Sequence, residues 1–218
     1  MSIIYDTSTT SASGASKTVV VANQPNRIIL CYCSGDGTAP TYNGVALTKK
    51  GDYGIRTSLW YLVNPAVGSH TMTFPGDYWD SGDYITTVGW GVVFNNVNTV
   101  SPFGGTTSAT GNPYTTSTAT TNFTPSYVKS GIIEMACCSW QTSGSMDAVD
   151  VGVDLGQLET FSASGLIIQA GFSYIASAAV GVNTNHRTSY SGNTTTARQY
   201  IVELGGYFAG PFPTHLQT

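Results

Sequence analysis

Apolar residues in this chain come in short runs and in alternation, not at helical spacing. Lys17 to Ala22 is a β-branched run that reads as a strand. Arg27 to Cys33 is almost continuously apolar, which predicts a central strand buried on both faces. Ile55 to Val63 is a second core strand. His70 to Phe74 alternates, with Met72 and Phe74 on one face. Tyr84 to Asn95 puts Val88, Trp90, Val92 and Phe94 on one side, while Gly89 and Gly91 leave the other side bare. Gly131 to Trp140 sets Ile133, Met135 and Cys137 against Glu134, Ala136 and Cys138. Leu166 to Ala176 and Arg198 to Phe208 complete the set. In the last, Tyr200, Val202 and Leu204 share a face opposite Gln199, Ile201 and Glu203.

Turn signals separate these runs: Gly35-Asp36-Gly37, Asn43-Gly44, Asn64-Pro65, Pro75-Gly76, Gly104-Gly105 and Ser191-Gly192-Asn193. The best helical candidate, Asp147 to Leu158, is weakened by Gly152 and Gly156. The pattern therefore predicts an all-β protein, an antiparallel two-sheet β-sandwich of about eight to eleven strands. Residues 1–16 read as a flexible N-terminal arm, 17–209 as one sandwich domain and 210–218 as a C-terminal tail. The Thr/Ser tract from Thr106 to Thr121 reads as a long loop or a polar strand.

Composition narrows the function classes. Charged residues are 9% of the chain and the net charge is -4, so neither a disordered chain nor a basic nucleic-acid binder fits. Apolar runs are too short for a membrane-spanning helix. Ser and Thr together make up about a quarter of the 218 residues, well above ordinary usage. The first residues show no basic and apolar leader, which implies synthesis in a cytoplasm. Cys31, Cys33, Cys137 and Cys138 then read as buried free thiols; a disulfide between the two segments and a zinc site are the alternatives.

Candidate chemistry is sparse. His70, His186 and His215 show no metal or nucleophile spacing. Glu134 and Glu203 lie in apolar strands and read as outward-facing residues rather than an acid/base pair. Asp147, Asp150 and Asp154 read as solvated turn residues, with a calcium site as the alternative. The richest segment is a loop holding Asp77, Tyr78, Trp79, Asp80, Asp83 and Tyr84. Ring faces there would stack on a sugar while carboxylates accept its hydroxyls, so these six are the candidate glycan-binding residues. A calcium-stiffened loop and plain turn residues are the other readings. No catalytic residue, metal ligand or cofactor is assigned.

One region resembles a known family. Tyr42-Asn43-Gly44-Val45-Ala46-Leu47-Thr48 is followed by Leu59-Trp60-Tyr61-Leu62-Val63-Asn64-Pro65-Ala66-Val67-Gly68, then Phe94-Asn95-Asn96-Val97 and Ser101-Pro102. This order resembles the β-sandwich domain of tailed-phage virion proteins and bacterial surface proteins. Asn96 departs from it, since the pattern there has Gly. The resemblance implies a jelly-roll-like sandwich and carries no catalytic residues. Together with the low charge it predicts a non-enzymatic structural protein of a bacteriophage virion. Such a protein decorates the capsid or another external surface through contacts with its own copies and other virion proteins, without nucleic acid or membrane. The alternative is a glycan-binding module of a phage fibre or bacterial surface protein, with a host surface glycan as partner.

Overall fold

The computed structural model describes residues 3–12, 15–34, 38–52, 57–76, 78–80, 83–85, 88–111, 118–127, 130–148, 157–163, 166–178, 181 and 184–207. These form strands and no helix. The first eight strands are β1 (Ile4–Ala12), β2 (Ser16–Val21), β3 (Ile28–Ser34), β4 (Thr41–Tyr42), β5 (Val45–Ala46), β6 (Thr48–Asp52), β7 (Thr57–Val63) and β8 (Gly68–Thr73). After them come β9 (Tyr78–Asp80), β10 (Asp83–Ile85), β11 (Val88–Asn95), β12 (Phe103–Gly111) and β13 (Thr118–Phe123). The last four are β14 (Ser130–Ala148), β15 (Gln157–Ala163), β16 (Leu166–Ala178) and β17 (Thr184–Gly205).

The central sheet has the order β1-β11-β3-β7-β6, and all its pairings are antiparallel. β3 explains its position. Ile28, Leu30 and Tyr32 join one buried cluster, and Ile29, Cys31 and Cys33 join another. The first cluster lies against the large sheet β12-β17-β14-β16-β15, where Ile133, Tyr200, Val202 and Leu204 meet Trp90, Val92 and Phe94. The second lies against the four-stranded sheet β2-β8-β4-β5, which supplies Val19, Val21, Tyr42 and Met72. The all-β sandwich is thus present with a sheet on each side of the central one. The continuous apolar run of β3 is what a strand covered on both faces requires.

Turn chemistry fixes the edges. Asn43 and Gly44 take φ of 50° and 75°, the positive values that a two-residue hairpin turn needs, and they join β4 to β5. Asn64 (φ 51°) ends β7 before Pro65, and its N–H bonds to the Arg27 carbonyl. Asn96 takes φ of 60°. That left-handed conformation favours Gly and is tolerated by Asn, which accounts for the departure from the resembled pattern at this position.

Several expectations are revised. The expected arm is an edge strand over Ile4–Ala12, paired with β11. Ile3 is buried in the core, Tyr5 packs edge-on to Phe94, and Asp6, at a register shift between Tyr5 and Thr7, accepts from the Ala22 N–H. Threonine-rich sequence supports this strand because Thr is β-branched and needs no apolar alternation at an edge. The Thr/Ser tract contributes β12 and β13, polar strands on the large sheet. Ser191-Gly192-Asn193 lies inside β17 instead of ending a strand, although the ladder with β14 breaks between Trp140 and Gly144. Phe123 pairs with Thr184 yet packs against Ile132 and Ile201. Residues 184 and 201 would stand roughly 55 Å apart along a straight strand, so β17 turns back over its own sheet. The expected tail at 210–218 lies outside the described residues.

The bare side of β11 is filled from the four-stranded side. A Cβ on Gly89 would overlap the Phe74 ring, and one on Gly91 would meet the Met72 sulfur. Gly76, by contrast, has nothing within 4 Å. Gly89→Ala is therefore expected to destabilise by about 1–3 kcal/mol through overpacking, whereas Gly76→Ala stays within about 0.5 kcal/mol. Urea unfolding midpoints of the two variants check this, and equal midpoints would refute it.

Candidate functional site

Five of the six residues singled out from sequence fall on a small ribbon. β9 and β10 pair antiparallel, with Asp83 opposite Asp80, Tyr84 opposite Trp79 and Ile85 opposite Tyr78. Two residues separate the strands, the spacing of a tight hairpin. The segment is thus a hairpin that sets two aromatics at one register position and two aspartates at the next. Asp77 lies outside the described residues.

A second polar cluster, centred on Glu203, is clear in the structure and was not foreseen from the sequence. Alternation along β17 sends Tyr200, Val202 and Leu204 into the main core and Ile201 and Glu203 to the other face. That face is also covered, by Phe123 and the segment after it. Glu203 is 0% exposed and Glu134 is 3% exposed, so the expectation that both face outward to solvent is corrected. Ile132 stands opposite Glu203 and Glu134 opposite Ile201, which places the two carboxylates on a diagonal of one face.

The Glu203 carboxylate is closely held. Its Oε1 accepts from the Tyr127 N–H at 2.8 Å and from the Ser126 N–H at 2.9 Å. Its Oε2 accepts from the Ser126 hydroxyl at 2.7 Å, the Gly105 N–H at 3.0 Å and the Ser126 N–H at 3.1 Å. Burial pushes the carboxyl pKa up. The bonds from Tyr127, Ser126 and Gly105 together outweigh it and hold the group below its ordinary value of 4.5. Tyr127 also donates its hydroxyl to the Phe103 carbonyl at 3.2 Å. One side chain therefore joins β12, the segment after β13 and β17.

The same cluster explains Gly104-Gly105, which the sequence marks as a turn. Both lie inside β12, at a register shift between Phe103 and Thr106. A Cβ on Gly104 would overlap the Glu203 carboxylate and crowd the Tyr127 ring. Glycine is needed there for close approach of the carboxylate to the backbone. An ionised carboxylate already bonded on both oxygens is a poor general base and cannot act as an acid. Its chemistry is to satisfy backbone donors where the chain leaves its ladder.

The remaining candidates are structural. Cys31 and Cys33 are free and buried, and burial raises the Cys31 thiol pKa well above its ordinary value, with the Cys33 thiol adding to the effect. Cys137 and Cys138 lie in β14, and their side chains are outside the description. The His70 ring packs edge-on against Tyr42 at 5.6 Å, and its Nε2 lies 3.0 Å from the Val67 carbonyl. His186 stands opposite Thr121 in the β13–β17 ladder, and His215 is outside the described residues. Trp60 and Trp90 are buried, as expected for core residues. Among the described residues no group of three or more His, Cys, Asp or Glu is placed to hold a metal.

Compared with known proteins, the chain matches no family model, no curated protein and no solved structure.

The clamp has a pH signature. A carboxyl whose folded pKa lies below its unfolded value stabilises fully above that unfolded value, near 4.5, and loses the contribution as pH falls toward the folded value. Wild-type protein is expected to lose stability below about pH 4.5 more steeply than Glu203→Gln. At neutral pH the variant is expected to be weaker by on the order of 2 kcal/mol, because its amide leaves backbone donors unpaired. Thermal melts of both proteins from neutral pH to acid test this; parallel curves would refute it.

Proposed function

We propose that the chain is a non-enzymatic structural protein of a bacteriophage virion, made in the host cytoplasm. In this reading it decorates the capsid or another external surface and acts through contacts with its own copies and other virion proteins. The observation that carries the proposal is where the scarce acidic side chains are used. Asp6 holds the Ala22 N–H, Asp52 holds Lys49 and Ser58, and Glu203 ties three segments together. Among the described side chains these carboxylates hold the fold, and a hydroxyl-rich surface would meet other protein without much ionic desolvation.

The resembled pattern supports the same reading. Its Asn43, Gly44, Asn64 and Asn96 take positive φ, and its Leu59-Trp60 pair sits in the core, so these residues serve shape rather than chemistry. A jelly-roll-like connectivity belongs to this proposal as well.

A glycan-binding module of a fibre or bacterial surface protein is the second reading. It is favoured by the β9–β10 register, which sets Trp79 opposite Tyr84 beside the Asp80–Asp83 pair.

Two measurements separate the readings. Immunogold electron microscopy of purified particles is expected to label the outer surface; absence of the protein from every assembled particle would overturn the first. On a glycan array, the second reading expects binding that Trp79→Ala reduces at least tenfold, and silence across the array sinks it.

A further inference from the structure

The outer face of the four-stranded sheet is built mainly from hydroxyls, with Val20 and Ala46 as its apolar positions. Its ladder sets Ser16 opposite Thr73, Thr18 opposite Thr71 and Val20 opposite Ser69. All six are exposed or half-exposed, while Val19, Val21 and Met72, of the other parity, are buried. Thr41 on β4 extends the first row, since it also stands opposite Thr73. Ser16 and Thr73 share a hydrogen bond of 2.9 Å between their hydroxyls. Lys17, the charged residue on these strands, belongs to the opposite parity. A soluble surface ordinarily carries charge at about a quarter or more of its positions, and this face carries none.

We infer that this face is a contact surface for a second copy of the chain, meeting it across a two-fold axis. The inference rests on the assembly reading above and names the surface that reading needs. Hydrogen-bond complementarity selects the occupant. A hydroxyl both donates and accepts, so a hydroxyl face complements itself, as a face of ammonium or carboxylate groups does not. Net charge points the same way. Two copies at -4 each repel over much of their surfaces, and contact through a neutral face brings the least like charge together. Val20, 59% exposed, gives the patch an apolar element among its hydroxyls.

Area sets the strength. β2 and β8 have six residues each and β4 and β5 two each, so at the usual spacing and rise the strands cover about 250 Å², and side-chain margins bring the face to on the order of 400 Å². Two copies would bury about 800 Å² together, less than a stable specific interface needs and the size of a weak, transient one. The contact is therefore reversible between two isolated copies and is strengthened when many copies are held in one array.

Sedimentation velocity of the full chain from about 10 μM to 1 mM, spanning the weak-affinity range, tests the inference. Wild type is expected to shift from monomer to dimer across that range. Thr71 lies on an inner strand of the face, so Thr71→Lys and Thr71→Glu are each expected to weaken association at least tenfold, with melting temperatures near wild type. An equal mixture of the two is expected to restore it, because the axis brings position 71 close to its own copy. Val100→Lys, 92% exposed on the turn between β11 and β12, is expected to leave it unchanged. A wild type that stays monomeric at every concentration overturns the inference, as does association that ignores position 71. In the second case the assembly reading survives, because the particle labelling decides it independently.

Discussion

Two-sided burial of the central sheet is the constraint from which the rest of the molecule follows. β3 has no polar face, and β11 offers large side chains on one side and glycines on the other. A sheet with such strands has to be covered twice. The four-stranded sheet covers the glycine side, where Phe74 and Met72 occupy the space that Cβ atoms would take. The large sheet covers the other, with Tyr200 stacked on Tyr32 and Tyr174 closing a ring cluster with Tyr5 and Phe94. Small residues in one layer match large ones in the next, as dense packing requires.

The Glu203 clamp solves a different problem. Where β12 shifts register and the chain passes from β13 to β14, backbone donors leave their ladders close to the buried Glu203. Three such N–H groups, on Gly105, Ser126 and Tyr127, converge on one carboxylate. A charge is usually costly in an interior, but bonds from several oriented dipoles offset the lost water without a counter-ion. The glycine pair at 104 and 105 then has a packing reason that ordinary turn chemistry does not provide.

Legibility in the sequence divides along the same lines. Strands with an apolar face, such as β3, β7, β11 and the second half of β17, are plain from alternation and run length. The Asn43-Gly44 turn is plain from its dipeptide. β1, β12 and β13 are hidden, because Ser and Thr supply strand propensity without the periodic signal that marks a face. Glu203 is hidden for a related reason. Alternation assigns it correctly to the face away from the main core, but the turn signal at Ser191-Gly192-Asn193 reads as the end of a strand and does not show that one continuous strand turns back so that this face is covered. The candidate glycan segment is legible as a cluster of residue types, and the register of β9 and β10 adds which of them stand opposite each other.

The order of strands along the chain also bears on how the molecule is made. The central and four-stranded sheets draw all their strands from the first 95 residues, and they can close as soon as β11 has been synthesised. The opposite side of the central sheet must wait for β14 and β17, and Tyr200 comes 105 residues after Asn95. During that interval Leu30, Tyr32, Trp90 and Phe94 face solvent. Pairings so distant in sequence form slowly. A nascent chain therefore passes through a long-lived half-built stage, in which its stickiest surface is the one that later becomes its best-packed core.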